Sequence, residues 1–158
     1  MKKTIAVALT AIIATIGIGV ACIAGCKMKN EPARQSASAH LDQGGNTVTA
    51  TVDLSNGYSC EFARGAVYLY DQENKEGVPA AAMVVTLEEE AYNDYVKASK
   101  RADDSKEFKG GIVYSEDGQT VYISKAGDSA YFAIFAEKAT SDQMENFINR
   151  INVVPENY

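Results

Sequence analysis

Apolar and polar residues alternate without a break over residues 47–54. A period of two residues is that of a β-strand with one buried face, so this segment is predicted to be a strand. The alternation resumes after a turn, with Tyr58, Cys60 and Phe62 on the buried side. This placement favours a packing role for Cys60 over that of a reactive thiol, because a small thiol behaves as a small hydrophobe in a core.

Further segments are rich in residues that favour strands. Two of them, residues 80–86 and 130–136, are apolar almost throughout, which predicts strands that are covered on both faces. Asp117-Gly118 indicates a two-residue hairpin turn. Residues 102–109 are charged and are predicted to be a loop. The remaining predicted strands are residues 66–70, 112–114 and 121–125.

Two segments have helical periodicity. In the first, Thr86 and Glu89 are spaced as a capping box. The acidic run at 88–90 is therefore expected to stabilise the amino end of a helix through its dipole, and not to act as a pair of catalytic acid–base carboxylates. In the second, Thr140 and Gln143 have the same spacing. The predicted apolar stripes are Leu87, Ala91, Tyr92, Tyr95 and Val96 in the first helix, and Met144, Phe147, Ile148 and Ile151 in the second.

Hairpin spacing and interspersed helices together predict an α+β fold. We expect a mostly antiparallel sheet of about six or seven strands with one amphipathic helix on each face. The predicted domain covers residues 47–158. It follows a signal peptide at 1–25 and a flexible tether at 26–46, which is rich in small and polar residues and has no apolar period.

The chain begins with the layout of an export signal, with Lys2 and Lys3 ahead of an apolar run over residues 5–24. The run closes on Ile23-Ala24-Gly25-Cys26, which resembles the lipobox of bacterial lipoproteins. The resemblance implies that Ile23, Ala24 and Gly25 are recognised by the signal peptidase. It further implies that Cys26 becomes the lipidated first residue, with palmitate among the attached acyl chains.

Two alternatives to this interpretation stay open. An apolar run of this length can span a bilayer, so the segment could instead be an uncleaved single-pass helix. A soluble secreted product is the weaker alternative, because no clear A-x-A site precedes Cys26. Cys22 is a poor lipidation site, because Gly19 occupies the position where a branched side chain is wanted. The lipoprotein interpretation and the single-pass helix both place the domain at a cell membrane, facing outside the cytoplasm.

Charge and cysteine content argue against nucleic-acid binding and against an internal disulfide. Cleavage before Cys26 would remove two lysines and leave 13 basic against 21 acidic residues, a net charge of −8. An anionic surface of this kind opposes nucleic-acid binding. Only Cys60 would remain beyond the anchor, so the mature chain has no internal disulfide.

Residues able to perform catalysis are sparse. His40 is the single histidine and lies in the predicted tether, where an incidental role is expected. Asp71, Glu73 and Glu76 lack the spacing of a calcium loop, so neither a metal nor another cofactor is predicted. We therefore predict no catalytic residue, although acidic residues that converge on folding could still make a surface hydrolase.

The order of elements over residues 48–154 resembles the PsbP-like fold, a family that includes an extrinsic photosystem subunit and many bacterial lipoproteins. The resemblance implies assembly work at a membrane complex and identifies no functional residue. From the residues themselves we expect a non-catalytic module that binds an envelope protein or a small ligand. Tyr68 and Tyr70, on one face of a strand, are candidate contacts, although core packing explains them as well.

Overall fold

The structure, a computed structural model, describes residues 36–43, 46–71 and 80–156. The predicted α+β fold with mostly antiparallel strands is confirmed. The first five strands are β1 (Ser36–Gln43), β2 (Asn46–Asp53), β3 (Tyr58–Ala63), β4 (Ala66–Asp71) and β5 (Ala80–Leu87). The elements that follow are α1 (Glu89–Ser99), β6 (Lys106–Phe108), β7 (Gly111–Glu116), β8 (Gln119–Ala126), β9 (Ala130–Glu137), α2 (Ser141–Arg150) and β10 (Ile151–Pro155).

The strands of the described residues form two antiparallel sheets. The larger has the order β3-β4-β5-β9-β8-β7-β6, and the smaller has the order β1-β2-β10. Strand β9 lies between β5 and β8 and is buried on both faces, with Ile134 at 1% and Ala133 at 0% exposure. The prediction that residues 130–136 form a central strand covered on both sides is therefore confirmed.

Each face of the large sheet carries one helix, as predicted. Helix α1 packs Tyr95 and Val96 onto the face that bears Tyr114, Ile123 and Phe135. Helix α2 packs onto the opposite face, and the small sheet, which the sequence analysis did not predict, covers that same face beside it. The core residues that α2 and the small sheet contribute are Met144, Phe147, Ile148, Leu41, Val48, Ala50 and Val52.

Strand β1 corrects the predicted tether, which was expected to run unstructured through residue 46. Ser36–Gln43 instead pair with β2 along their whole length. The physical reason is that Ala37 and Leu41 are buried at 8% and 1% exposure, so alternate residues of this polar segment do enter the core. The alanines gave too weak an apolar signal to be recognised. Residues 26–35 of the predicted tether lie outside the described residues.

The start of α1 differs from the prediction as well. Thr86 belongs to β5, which continues to pair with β9 as far as Leu87, so neither residue is helical. The N-cap is Glu88, and it makes no side-chain capping hydrogen bond. Pairing across the sheet therefore outweighs the capping box predicted for Thr86 and Glu89. The capping box of α2 is confirmed, with both reciprocal bonds between Thr140 and Gln143 present.

Two short strands were also missed. Residues 106–108 pair with the start of β7, where a charged edge strand is expected because one side faces solvent. Beyond β6, the side chain of Asp104 takes over the bonding to the edge of β7, because its carboxylate accepts the Ser115 N–H at 3.0 Å. At the other end of the chain, Ile151 is the C-cap of α2 and the first residue of β10. Neither helix of the described part is long and apolar enough to cross a bilayer.

Candidate functional site

A polar cleft lies where helix α2 ends against the small sheet. Its volume is about 450 Å³. Strand β2 turns alternate residues outward there, and Thr51 shares a hydrogen bond of 2.9 Å with Ser38 of β1. We call this depression the α2 cleft. Its lining residues are Ser36, Thr51, Asp53, Asn149, Arg150, Ile151 and Asn152.

Arg150, the last residue of α2, is the most firmly positioned side chain of the cleft. Its guanidinium lies over the Tyr58 ring, with 3.7 Å between the guanidinium carbon and the ring centre. Nη1 donates to the Ser55 carbonyl at 2.7 Å and more weakly to the Ser55 hydroxyl at 3.3 Å. A third contact, at 3.4 Å, reaches the Asp53 carbonyl. All three of these bonds use Nη1.

Asp53, at the end of β2, supplies the negative charge of the cleft. Oδ1 accepts the Ser55 N–H at 2.8 Å, while Oδ2 stands 3.7 Å from Arg150 Nη1, which is too long for a hydrogen bond. The backbone and side-chain hydrogen bonds from Ser55 lower the pKa of this carboxyl, and the Arg150 charge adds to the effect. Asp53 is therefore ionised at neutral pH, and its side chain is 53% exposed.

The cleft thus presents a fixed cation beside an open anion. Arg150 is only 15% exposed, and its neighbours leave the guanidinium little freedom to turn. The carboxyl end of α2 is at the same place, where the partial negative charge of a helix dipole adds to that of Asp53. Amide and hydroxyl groups make up most of the remaining lining. Such a surface can bind small polar ligands that carry charge or several hydrogen-bonding groups.

His40 lies elsewhere on the small sheet and makes a specific contact. Its Nδ1 and the Thr49 hydroxyl both contact Glu156 Oε1, the Thr49 distance being 2.6 Å. The carboxylate of Glu156 therefore contacts a side chain of β1 and a side chain of β2. This arrangement ties β1 and β2 to the segment after β10.

The other side chains singled out from the sequence have mostly packing roles. Cys60 is buried in the core at 5% exposure, in agreement with the packing role predicted for it. Tyr68 is 7% exposed, and Tyr70 is partly buried on the same sheet face, so packing accounts for Tyr68. Burial raises the pKa of Tyr70 to about 12, with the charge of Glu61 as the second cause. Glu89 and Glu90 lie in the first turn of α1, as predicted for an acidic helix start, and Glu88 is the N-cap without a side-chain cap bond.

Several predicted residues lie outside the described part of the chain. These include the lipidation site Cys26, the peptidase recognition residues Ile23, Ala24 and Gly25, and the alternative cysteine Cys22. Glu73 and Glu76 of the rejected calcium loop also lie outside it, while Asp71 ends β4. Within the described residues, no cluster of three or more histidine, cysteine or acidic side chains could hold a metal ion.

Comparison of this chain with protein-family models, with curated proteins and with solved structures finds no match. The lipobox and PsbP-like resemblances therefore stay predictions.

The residues of the α2 cleft form no pattern that is recognisable in the sequence. Arg150 and Asp53 are 97 residues apart in sequence, and neither belongs to a recognisable motif. The one local signal was a basic residue in the last turn of α2, a position where basic side chains are common because they complement the helix dipole.

Proposed function

We propose that this chain is a bacterial lipoprotein whose domain is a non-catalytic binding module outside the cytoplasm. In this proposal residues 1–25 are the signal peptide, and Cys26 carries the lipid that holds the protein at the membrane. The α2 cleft is the ligand site. The proposal of a lipid anchor is supported by the apolar run that ends in Ile23-Ala24-Gly25-Cys26.

The position of β1 makes the anchor proposal more specific. Ser36 is already in a strand, ten residues after Cys26. Ten residues span at most about 35 Å when fully extended, so the start of β1 would lie within that distance of the lipidated residue. A tether reaching to residue 46 would have allowed about twice as much. A short attachment raises the effective concentration of the module at the membrane surface, so a modest affinity is sufficient.

The α2 cleft supports a binding role through its size and lining. Its volume of about 450 Å³ lies within the range of small-molecule sites. Six of the seven lining residues carry polar or charged side chains, and the guanidinium is held by its neighbours before any ligand arrives. Asp53 is the single carboxylate among the lining residues that the structure describes, so the cleft does not supply the carboxylate pair of a glycosidase. Hydrolase activity stays an untested alternative.

Fatty-acid labelling in a bacterial host tests the proposal. The full chain, expressed with an alkyne analogue of palmitate, is expected to take up the label and to partition into the membrane fraction. Cys26→Ser should remove the label, whereas the matched variant Cys22→Ser should retain it. A label that survives Cys26→Ser would contradict the assigned anchor. Membrane retention of an unlabelled chain with its first residues intact would favour the uncleaved helix.

A further inference from the structure

Strand β1 forms an outer edge of the small sheet. In the order β1-β2-β10 it has one neighbour, and no strand of the described residues pairs with its other side. An edge of this kind can pair with a further chain unless its sequence prevents it. Lysine, arginine and proline, which often protect such edges, are absent from Ser36–Gln43. The register with β2 also runs from one end of β1 to the other without a bulge.

The hydrogen bonds of β2 show which residues of β1 face this edge. The Glu156 N–H donates to the Thr47 carbonyl at 3.0 Å, on the side of β10. In an antiparallel strand the N–H and C=O of one residue point to the same side, and successive residues alternate. Asp42 lies opposite Thr47 and therefore directs its N–H and C=O away from β2. The other residues of β1 that do so are Ser36, Ser38 and His40.

We propose that a second copy of this chain pairs with this edge, β1 antiparallel to β1, so that the two small sheets join into one. A two-fold axis beside Ala39 gives the register in which every outward-facing residue takes part. Ser36 then lies opposite Asp42 of the second copy, and Ser38 lies opposite His40 of the second copy. Each of these pairs can exchange two backbone hydrogen bonds. This interface goes beyond the binding function proposed for the α2 cleft.

The side chains of β1 suit this register. On the inner face Ala39 meets Ala39 of the second copy, and Ala37 meets its Leu41, so small apolar groups lie together. On the outer face each Asp42 meets a serine, and the two Asp42 carboxylates are about 20 Å apart along the strands. Like charges directly opposite each other destabilise a strand pair, and this register contains none.

The charge of the chain and the size of the contact limit its strength. Each copy has a net charge of −6, so two copies repel each other, although physiological salt screens charges beyond about 8 Å. A single pair of strands is also smaller than a standard stable interface. We therefore expect the pairing where copies are concentrated, as attachment to one membrane would concentrate them.

Disulfide formation between copies of the full chain tests the register. The double variant Ser36→Cys/Asp42→Cys, expressed in a bacterial host and treated with an oxidant, should form a dimer on non-reducing gels. Both positions are exposed, and facing Cα atoms of a hydrogen-bonded pair are about 5.5 Å apart, which a disulfide can bridge. Each single variant places its two new cysteines about 20 Å apart and should give about tenfold less dimer. The parent chain measures what its own cysteines contribute.

A proline variant separates strand pairing from random collision. Ser38→Pro removes an N–H that points away from β2, which an edge strand tolerates, and should abolish the dimer of the double-cysteine chain. Ser38→Ala is the matched control, because it loses the same hydroxyl, keeps the N–H and should retain the dimer. Thermal denaturation of both variants checks that they are folded.

Three results would overturn the inference. They are a double-cysteine chain that stays monomeric, single variants that form dimer as readily as the double variant, and a dimer that survives Ser38→Pro. A disulfide adduct with a protein of another mass would place a different partner at this edge and would overturn it as well. The fatty-acid label at Cys26 is read separately, so failure of the anchor and failure of the pairing are distinguishable.

Discussion

The guanidinium carbon of Arg150 lies 3.7 Å from the centre of the Tyr58 ring, and this contact connects the end of α2 to the start of β3. The same tyrosine packs edge-on against Phe147 of α2, with ring centres 6.1 Å apart. Tyr58 therefore contacts α2 through both Phe147 and the Arg150 guanidinium, which lies over the face of its ring. Burial raises the pKa of its hydroxyl, so the ring stays neutral beneath the guanidinium at physiological pH.

The first prediction concerns this pair of residues. A double-mutant cycle with Tyr58→Leu and Arg150→Lys should give a coupling free energy of about 0.5–2 kcal/mol, because the cation–π contact is partly desolvated. Urea denaturation of the two single variants and the double variant measures it. Strictly additive effects would show that the stacked geometry contributes no stability.

The second prediction concerns the start of α2. Thr140→Ala should lower the free energy of unfolding by about 1 kcal/mol, because Gln143 N loses the hydroxyl that accepts its proton. Thr140→Ser keeps an acceptor and should restore most of the loss. The matched variant Glu88→Ala at the N-cap of α1 should have a smaller effect, since that side chain makes no cap bond. Equal losses for the two alanine variants would contradict this account.

The third prediction compares two buried tyrosines. The Tyr114 hydroxyl is fully buried and makes no hydrogen bond within the described residues, whereas the Tyr122 hydroxyl donates to the Lys109 carbonyl at 3.2 Å. Tyr114→Phe should therefore stabilise the protein by about 1 kcal/mol, and Tyr122→Phe should destabilise it by a similar amount. Thermal and chemical denaturation of the two variants decide the sign of each effect.

The same burial predicts sensitivity to alkali. An unfolded tyrosine ionises near pH 10, while burial raises the pKa of Tyr70 to about 12 and also raises the pKa of Tyr114. The folded state then holds more protons than the unfolded state above about pH 10, so stability is complete below that pH and falls as the pH rises further. Tyr70→Phe should make the fall between pH 10 and 12 shallower, and an unchanged slope would contradict this assignment.

A fifth prediction concerns Gly111, where β7 begins. A Cβ placed there would lie 2.4 Å from the backbone oxygen of Ile123 and equally close to the Tyr122 ring. Gly111→Ala should therefore cost about 1–3 kcal/mol through forced backbone movement. Its neighbour Gly110 has open space and φ +77, a conformation that asparagine tolerates. Gly110→Asn is the control and should cost clearly less in the same unfolding experiment.

The sequence predicted the elements whose signal was local. The alternation around Val48 and Val52, the Asp117-Gly118 hairpin and the Thr140–Gln143 capping box each depend on residues a few positions apart, and all three are present. Strand β1 was not predicted because two of its inward-facing positions are alanines, the buried Ala37 and the partly buried Ala39. Its stability comes from pairing with β2 and from packing on the core. The end of β5 was predicted to be the start of a helix, because the capping-box spacing of Thr86 and Glu89 is local, whereas the pairing of β5 with β9 that overrides it is not.

The candidate site could not be predicted for a related reason. Arg150 and Asp53 are both ordinary residues at the ends of elements. They meet only because β10 returns beside β2, which places the end of α2 over the turn that contains Ser55. A contact across 97 residues that depends on the pairing of β10 with β2 has no signature in the sequence. Conversely, the anchor is predicted from sequence alone, because residues 1–35 lie outside the described residues.

The lipid anchor is tested most sharply by the intact mass of the protein purified from the membrane of an expressing bacterium. We expect a chain that begins at Cys26 and carries two or three acyl chains on that residue. A mass that includes Met1 and the following apolar run, or one with an unmodified cysteine at the start, would contradict it.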